Sequence, residues 1–309
     1  MPRILGIDTS NYTTSVSVVE DGKILYDARK ILNVRKGERG LRQSEALFQH
    51  VINLPSLLKD ERVKGLDGVC TSIRPRPIEG SYMPVFKAGE SIGISIASAM
   101  GIPFFETSHQ ESHIEAACQS IGFDYDEFYA FHLSGGTSEL LKVKRENGYK
   151  IQIIGGTKDI STGQFLDRLG VAMGLSFPAG KFMDQMAMEA EKTGLRIPSR
   201  VDGLYFNLSG QETMGLKFIE NGYNYEEVAF AAMMCVSKTL EKIFKNLFIR
   251  EQLPLILIGG VASSGFLRKY LNTKFKDNIF FSKAHYAVDN AVGTAFIGWK
   301  KLKGGFYER

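Results

Sequence analysis

The chain opens as short runs whose apolar and polar positions change at strand spacing. "RILGIDTS" is apolar and brief, "TTSVSVVE" alternates, "DG" turns and "KILYDARK" follows. Period-two alternation puts one face of each run toward a core, and Asp-Gly between two such runs predicts a tight hairpin. The same plan returns near the middle. "FYAFHLSGG" is a strand running into a polar turn, "TSELLKVKR" alternates, "ENG" turns and "YKIQIIGG" follows. Two copies of a three-stranded meander predict two similar lobes, with a ligand in the cleft between them, gripped by the small-residue turns. Helical spacing fills the intervals. It predicts helices over "RQSEALFQHVINLPSLLKD", "AGESIGISIASAMG" and, longest, "EEVAFAAMMCVSKTLEKIFKNLF", while "GLDGVCTSI" and "LPLILIGGVASSG" read as buried strands ending in small-residue turns. The Met-rich stretch "LGVAMGLSFPAGKFMDQMAMEA" reads as core packing. The expected division is a first lobe over 1–125 and a second over 126–309, the latter with a helical insertion at about 157–225.

Composition narrows the class. With 309 residues the chain suits two lobes, and 44% hydrophobic with 23% charged residues is ordinary for a globular protein. No apolar run reaches the ~18 residues a membrane span needs, and the start carries no signal-peptide pattern. Cys70, Cys118 and Cys235 are scattered and form no CxxC pair, which points to a reducing, cytoplasmic setting. A net charge of +4 permits an anionic partner such as RNA without demanding one. The basic tail "GWKKLKGGFYER" reads as a solvated end.

Three sets of residues carry candidate chemistry. "LSGGTSEL" and "LIGGVASSGFLR" place Gly-rich turns at strand ends, where converging N–H groups can cradle a phosphate. Neither is a Walker A loop, since no G-K-[ST] follows, and tight turning alone accounts for many such turns. Asp8, Asp167, Asp184 and Asp289 are acids in apolar settings, able to hold a ribose or a metal and equally able to cap a helix. His109 and His113 share a helix face at i, i+4 spacing, where two imidazoles can chelate one divalent ion. Satisfied core histidines are the competing explanation. A third ligand could come from His50, His132, His285 or an Asp of the opposite lobe. A zincin peptidase is disfavoured, because Gln110 stands where its general-base Glu belongs.

In order along the chain, "ILGIDTSNYTTSVSVV", "HQESH", "LSGGTSEL", "STGQFLDRLGVAMGLSFPAG", "YFNLSG", "IGGVASSGFLR" and "VDNAVGTA" resemble the TsaD family, the tRNA threonylcarbamoyladenosine synthases once labelled glycoprotease or Gcp. The resemblance spans nearly the whole chain. It implies an α/β ASKHA fold, shared with actin and sugar kinases: two RNase H-like lobes around a cleft. It implies transfer of threonylcarbamoyl from threonylcarbamoyl-AMP to N6 of the adenosine following the anticodon in tRNA. One divalent metal, iron or zinc, is implied on His109, His113 and Asp289. An adenine nucleotide is implied on Leu133, Ser134, Gly135, Gly136, Thr137, Asp167, Gly180 and Asp184, with Gly260 and Ser264 on the adenine side. Asp8 and Ser134 are then the catalytic candidates, and a TsaB-like pseudo-enzyme and an ATPase are the implied partners besides tRNA.

The departures from the family pattern fall on substrate contacts. Asn11, Tyr12 and Thr13 replace an acidic segment, and "RPR" at 74–76 replaces G-P-G. Thr137 stands for His or Asn, Gln164 for Glu, Arg168 for Lys, Lys181 for Pro, Glu212 for Lys and Ser264 for Asn. The metal set is intact while substrate contacts differ. Three readings stay open: the family transfer reaction, another carbamoyl or acyl transfer or nucleotide chemistry in the same cleft, and a non-catalytic TsaB-like scaffold.

Overall fold

The computed structural model describes residues 1–10, 12–34, 40–146, 148–190 and 194–304. Asn11, Asn147 of the second predicted turn, and residues 305–309 of the basic tail lie outside the described residues.

Both meanders form. β1 (Arg3–Asp8), β2 (Thr13–Glu20) and β3 (Lys23–Ile31) are antiparallel neighbours, with Arg3 opposite Glu20 and Asp8 opposite Ser15. Asp21 and Gly22 take φ of 48° and 73°, the left-handed pair that matches hairpin twist. After α1 (Gln43–Leu58), β4 (Gly68–Arg74), α2 (Phe86–Met100) and β5 (Phe104–Ser108), the first sheet has the order β3-β2-β1-β4-β5. α3 (His109–Ile121) leads into the second meander, β6 (Glu127–Leu133), β7 (Ser138–Arg145) and β8 (Tyr149–Thr157). There Glu127 faces Lys144 and Leu133 faces Ser138.

The stretch that follows is mostly helical: α4 (Thr162–Ala172), α5 (Gly180–Glu189), the small hairpin β9 (Val201–Asp202) and β10 (Tyr205–Phe206), and α6 (Ser209–Glu220). The chain closes with α7 (Tyr225–Arg250), β11 (Leu255–Ile258), α8 (Gly265–Phe275), β12 (Ile279–Phe281), α9 (Ala284–Ala287) and α10 (Val292–Leu302). The second sheet runs β12-β11-β6-β7-β8-β10-β9. In each sheet the meander's first strand takes on two further parallel strands, β4 and β5 beside β1, β11 and β12 beside β6. The sequence repeat is therefore a topological repeat, extended at one edge of the second sheet by β10 and β9.

Two helices lie between the sheets. One core cluster joins Ile4 and Cys70 of the first sheet to Phe128, Ala130, Ile256 and Ile258 of the second through Ile114, Cys118 and Ile297, which belong to α3 and α10. Burying apolar surface from both sheets in one cluster ties the lobes together. The crossing of α10 over α3 is close. A Cβ on Gly293 would lie 1.9 Å from Ser112 O, so only glycine fits, and Thr294 Oγ1 donates to Ser112 Oγ at 2.9 Å. α3 is thereby fixed on nearly all sides, with His109 through Cys118 buried except Glu111. Among the described residues no helix is long and apolar enough to cross a membrane.

Candidate metal centre and the turns around it

α3 starts sharply because Ser108 caps it. Glu111 N–H donates to Ser108 Oγ at 3.2 Å, and Glu111 Oε2 accepts from Ser108 N–H at 2.8 Å, a reciprocal capping box. Glu111 is thus committed to the helix end. The cap sets His109 and His113 on one face, ring centroids 4.3 Å apart. Asp289, between α9 and α10, meets them from the far end of the sequence: its Oδ1 is 3.1 Å from His113 Nε2 and 3.7 Å from His109 Nε2. One donor atom from each of the three residues lies within 4.8 Å of the others.

Asp8 completes the arrangement. It ends β1 fully buried, and its Oδ2 accepts from Ser72 Oγ at 2.8 Å and lies 3.0 Å from His109 Nδ1. Its Oδ1 accepts from the N–H and hydroxyl of Ser10. Burial would raise the Asp8 carboxyl, but the attraction of His109 and the bonds from His109 and Ser10 outweigh it and hold it well below the carboxylate range. For His109, burial favours the neutral ring, yet the charge and hydrogen bond of Asp8, with help from Asp289, raise its pKa. A carboxylate at Nδ1 makes that nitrogen the donor and leaves the Nε2 lone pair facing Asp289. His109 Nε2 is buried and without a hydrogen-bond partner. Two imidazoles, one carboxylate and an orphaned ring nitrogen between them fit a divalent ion of the iron or zinc kind. His113, lowered by burial and by repulsion from His109, is suited to the neutral form a ligand needs.

Sequence reasoning left His132 unassigned among several histidines, and the structure places it against this cluster. Its ring centroid is 4.8 Å from that of His113 and 6.3 Å from that of His109, and both of its nitrogens are buried without partners. Burial first, then the charges of His113, His109 and Arg76, push its pKa well down. The signal was in the strand period: Phe128, Ala130 and His132 alternate on the face of β6 that meets α3. His50 is instead buried beside Thr14, 2.9 Å from its hydroxyl, and His285 is at the surface.

The remaining predicted residues gather in two groups. In the Leu133–Thr137 turn, Ser134 N–H donates to Thr137 O at 2.8 Å, and Thr137 N–H donates to Ser134 Oγ at 3.0 Å. The Ser134 hydroxyl is folded back into its own turn. Gly135 and Gly136 are exposed, and their N–H groups enter none of the described hydrogen bonds. Asp167 sits between this turn and α5: a Cβ built on Gly135 or on Gly180 would be 4.0 Å from one of its oxygens. Its Oδ1 accepts from Ala179 and Gly180 N–H at 2.7 and 3.1 Å, and burial raises its pKa against those bonds. In the second group, Asp184 bonds the Ser264 hydroxyl and accepts from Gly265 and Phe266 N–H at 2.9 and 3.1 Å. Asp184 therefore caps α8, and Gly260, itself exposed, opens the short 3-10 turn Gly260–Ser263 before it, in which Val261 and Ala262 are buried. The two groups touch where Gly259, at φ 93°, would place a Cβ 2.3 Å from Leu133 O.

Several departures from the family pattern form bonds of their own. Arg168 Nη1 is 3.0 Å from Glu212 Oε2, so two altered positions pair with each other. Gln164 serves the capping box of α4 with Ser161. Arg76, from the loop after β4, bonds Glu139 at the start of β7 across the lobes, and Gln110 Nε2 donates to the same carboxylate at 3.1 Å. Tyr12 packs edge-on against Phe177, centroids 5.3 Å apart.

Two linked sheets of repeated topology, with Gly-rich turns at strand ends and a buried histidine–carboxylate cluster between the sheets, define the class: an ASKHA-fold protein. Known structures bear this out at the level of fold. The chain superposes on HypF of T. kodakarensis with TM-score 0.63 and 16% identity, covering 98% of this chain and 48% of that one. The ADPNP-bound activator of 2-hydroxyisocaproyl-CoA dehydratase from Clostridium difficile gives TM-score 0.57 and 12% identity, covering 97% and 96%. Sequence is more specific. The family model of the TsaD tRNA N6-adenosine threonylcarbamoyltransferases matches residues 51–296. The Thermotoga neapolitana protein of that name is 30% identical over 99% of this chain and 96% of its own length. The chain belongs to the TsaD family.

Proposed function

We propose that this protein transfers a threonylcarbamoyl group from threonylcarbamoyl-AMP to N6 of the adenosine following the anticodon in tRNA. The observation that carries the reading is the orphaned His109 Nε2 facing Asp289, 3.7 Å away, in a chain of this family. His109, His113 and Asp289 would hold one divalent ion, which when bound supplies Lewis acidity toward the carbonyl under attack. The chain's own residues do the rest. Asp8 fixes the orientation of His109. Gly135 and Gly136 would offer N–H donors to the adenylate phosphate, and Asp167, beside both Gly135 and Gly180, would accept from a ribose hydroxyl. In the reaction a C–N bond forms at N6, the carbonyl–phosphate C–O bond breaks, AMP leaves and the amine releases a proton. Most of the catalytic task is to hold amine and carbonyl together and keep water out.

A second reading is a different acceptor in the same cleft. It is favoured by the Arg76–Glu139 pair, which sets charge at the cleft where the family pattern has Gly-Pro-Gly. One assay separates the readings. Wild type and His109→Ala/His113→Ala are measured for bound metal and for transfer of labelled threonylcarbamoyl to tRNA, with a TsaB-like protein and an ATPase supplied. About one ion per wild-type chain, absent from the variant, together with tRNA labelling, is the expected result. Metal without labelling would favour the other acceptor, and absence of metal from both proteins would favour a scaffold.

A further inference from the structure

Asp289 is held differently from its two histidine partners. His109 and His113 ride on a helix buried between the sheets. Asp289 lies in the link between α9 and α10, next to a helix of only four residues, yet its carboxylate is aimed to within 3.1 Å of His113 Nε2. Part of the order is local. Asn290 Nδ2 donates to Val288 O at 2.8 Å, and its Oδ1 accepts from Val292 N–H at 3.0 Å.

α3 adds a hold, with Lys283 N–H donating to Ser120 Oγ at 3.2 Å and Tyr286 packing against the cluster of Ala116, Val292 and Phe296. A further hold comes from the opposite lobe. Asp27 and Arg29, two residues apart on β3, share a strand face. Arg29 Nε and Nη2 donate to the Asp27 carboxylate at 3.1 and 2.6 Å. Arg29 Nη1 is left free to reach across, and it donates to the backbone carbonyl of His285 at 2.6 Å. The His285 ring returns to the same pair, Nε2 lying 2.9 Å from Asp27 Oδ2. β3 is the edge of its sheet, where charged side chains are usually well exposed. Here Arg29 and Asp27 are only 13% and 10% exposed. A half-buried pair on an edge strand, with one guanidinium arm directed at a backbone carbonyl four residues before a metal ligand, is a clamp on that segment.

We propose that Asp27 and Arg29 are positioning residues for Asp289: the β3 pair grips the α9 segment at His285 and so presets the third ligand of the metal centre. Asp27 orients the guanidinium fork, Arg29 fixes the carbonyl, and His285 closes the loop. Neither Asp27 nor Arg29 touches the ion or the substrate. A preset ligand removes ordering entropy from metal binding, and partners that orient ligands commonly change metal affinity by ~10–100-fold.

This inference rests on the metal reading above, and the test separates the two. Full-length wild type, Arg29→Met and Asp27→Asn are stripped with chelator and titrated with Co2+ alone. Amide hydrogen exchange over residues 284–291 is followed in the stripped proteins. The expected result is at least a ~10-fold loss of Co2+ affinity in both variants, with faster exchange over 284–291 and unchanged exchange over α3. His285→Gln keeps the carbonyl and a side-chain donor, and is expected to stay near wild type. Arg3→Met, which removes the Arg3–Glu20 pair from the same sheet, is expected to lower the melting temperature and leave Co2+ affinity alone. Wild-type Co2+ affinity in Arg29→Met, or unchanged exchange over 284–291, overturns the clamp while leaving the metal reading intact. A wild type that binds no Co2+ overturns both.

Discussion

The two meanders end their first strands alike and use the following turns in opposite ways. At the end of β1, Asp8 and the two residues after it, Thr9 and Ser10, are all buried. Thr9 Oγ1 donates to Val85 O at 2.9 Å and accepts from Gly89 N–H at 3.1 Å, while the Asp8 carboxylate serves Ser10, Ser72 and His109. After β6, Gly135 and Gly136 are exposed, and the Ser134 hydroxyl closes on its own turn. One turn is a buried bracket for the His109 ring; the other leaves its two glycines exposed. The repeat duplicates the geometry, and burial decides which chemistry each copy carries.

Removing what the first turn supports should give the largest effect. His109→Ala/His113→Ala deletes two of three donors, so the protein is expected to lose bound metal altogether and threonylcarbamoyl transfer to fall by at least ~100-fold, read by metal analysis and by tRNA labelling. Asp8→Asn is subtler. The amide keeps the shape but cannot impose a charged acceptor on His109 Nδ1. Metal affinity is expected to drop ~10–100-fold, measured by competition with a chelator. Retained affinity would mean that α3 alone orients the ring and that the two turns differ less than their burial suggests.

Much of this was legible in the sequence. Alternation and the Asp21–Gly22 and Gly-Gly turns located both meanders, and helical spacing located α1, α2 and α7, because those signals are local. The i, i+4 histidines were legible for the same reason. The roles of α3 and α10 were not. That they lie between the sheets depends on close approaches such as Gly293 against Ser112 O, which no window of sequence reports. Asp167 and Asp184 stood out as acids in apolar runs, but their bonds to the starts of α5 and α8 join residues 12 to 82 positions apart. His132 stood in plain view in an alternating strand. Its meaning depends on what faces β6, and that is tertiary.

The second turn can be disturbed without touching the first. Gly163 packs against it: a Cβ there would lie 2.5 Å from Ser134 O and 2.6 Å from Gly135 Cα. Gly163→Ala must push the turn outward, at a cost of about 1–3 kcal/mol by the usual scale of overpacking. The expected outcome is weakened adenine-nucleotide binding and a lowered melting temperature with metal content unchanged. If metal is lost as well, the turns are mechanically coupled through Leu133 and His132, and the division of labour between them is incomplete.

The smallest effect tests burial directly, by comparing two aspartates that both accept N–H bonds at helix starts. Asp159, near the surface, accepts from Leu208 and Ser209 N–H at 2.8 and 2.9 Å. Burial opposes its ionisation, but bonds from Ser209, Leu208 and Ile160 win and hold its carboxyl well below the usual range. Asp167 accepts similar bonds from Ala179 and Gly180, yet burial wins and its carboxyl is raised. The signs therefore differ. The lowered Asp159 contributes stability that is present above the unfolded value of about 3.9 and is lost as pH falls through its folded value. The raised Asp167 works against the fold as pH climbs past that unfolded value. Asp159→Asn is expected to cost about 1 kcal/mol near neutral pH, the scale of a lost cap, and to flatten the fall in melting temperature on acidification. Asp167→Asn, which keeps an oxygen for both N–H groups, is expected to cost less and to steepen that fall slightly. Melting curves from about pH 3 to about pH 7 decide it, and parallel profiles for the two variants would show that burial does not distinguish these caps.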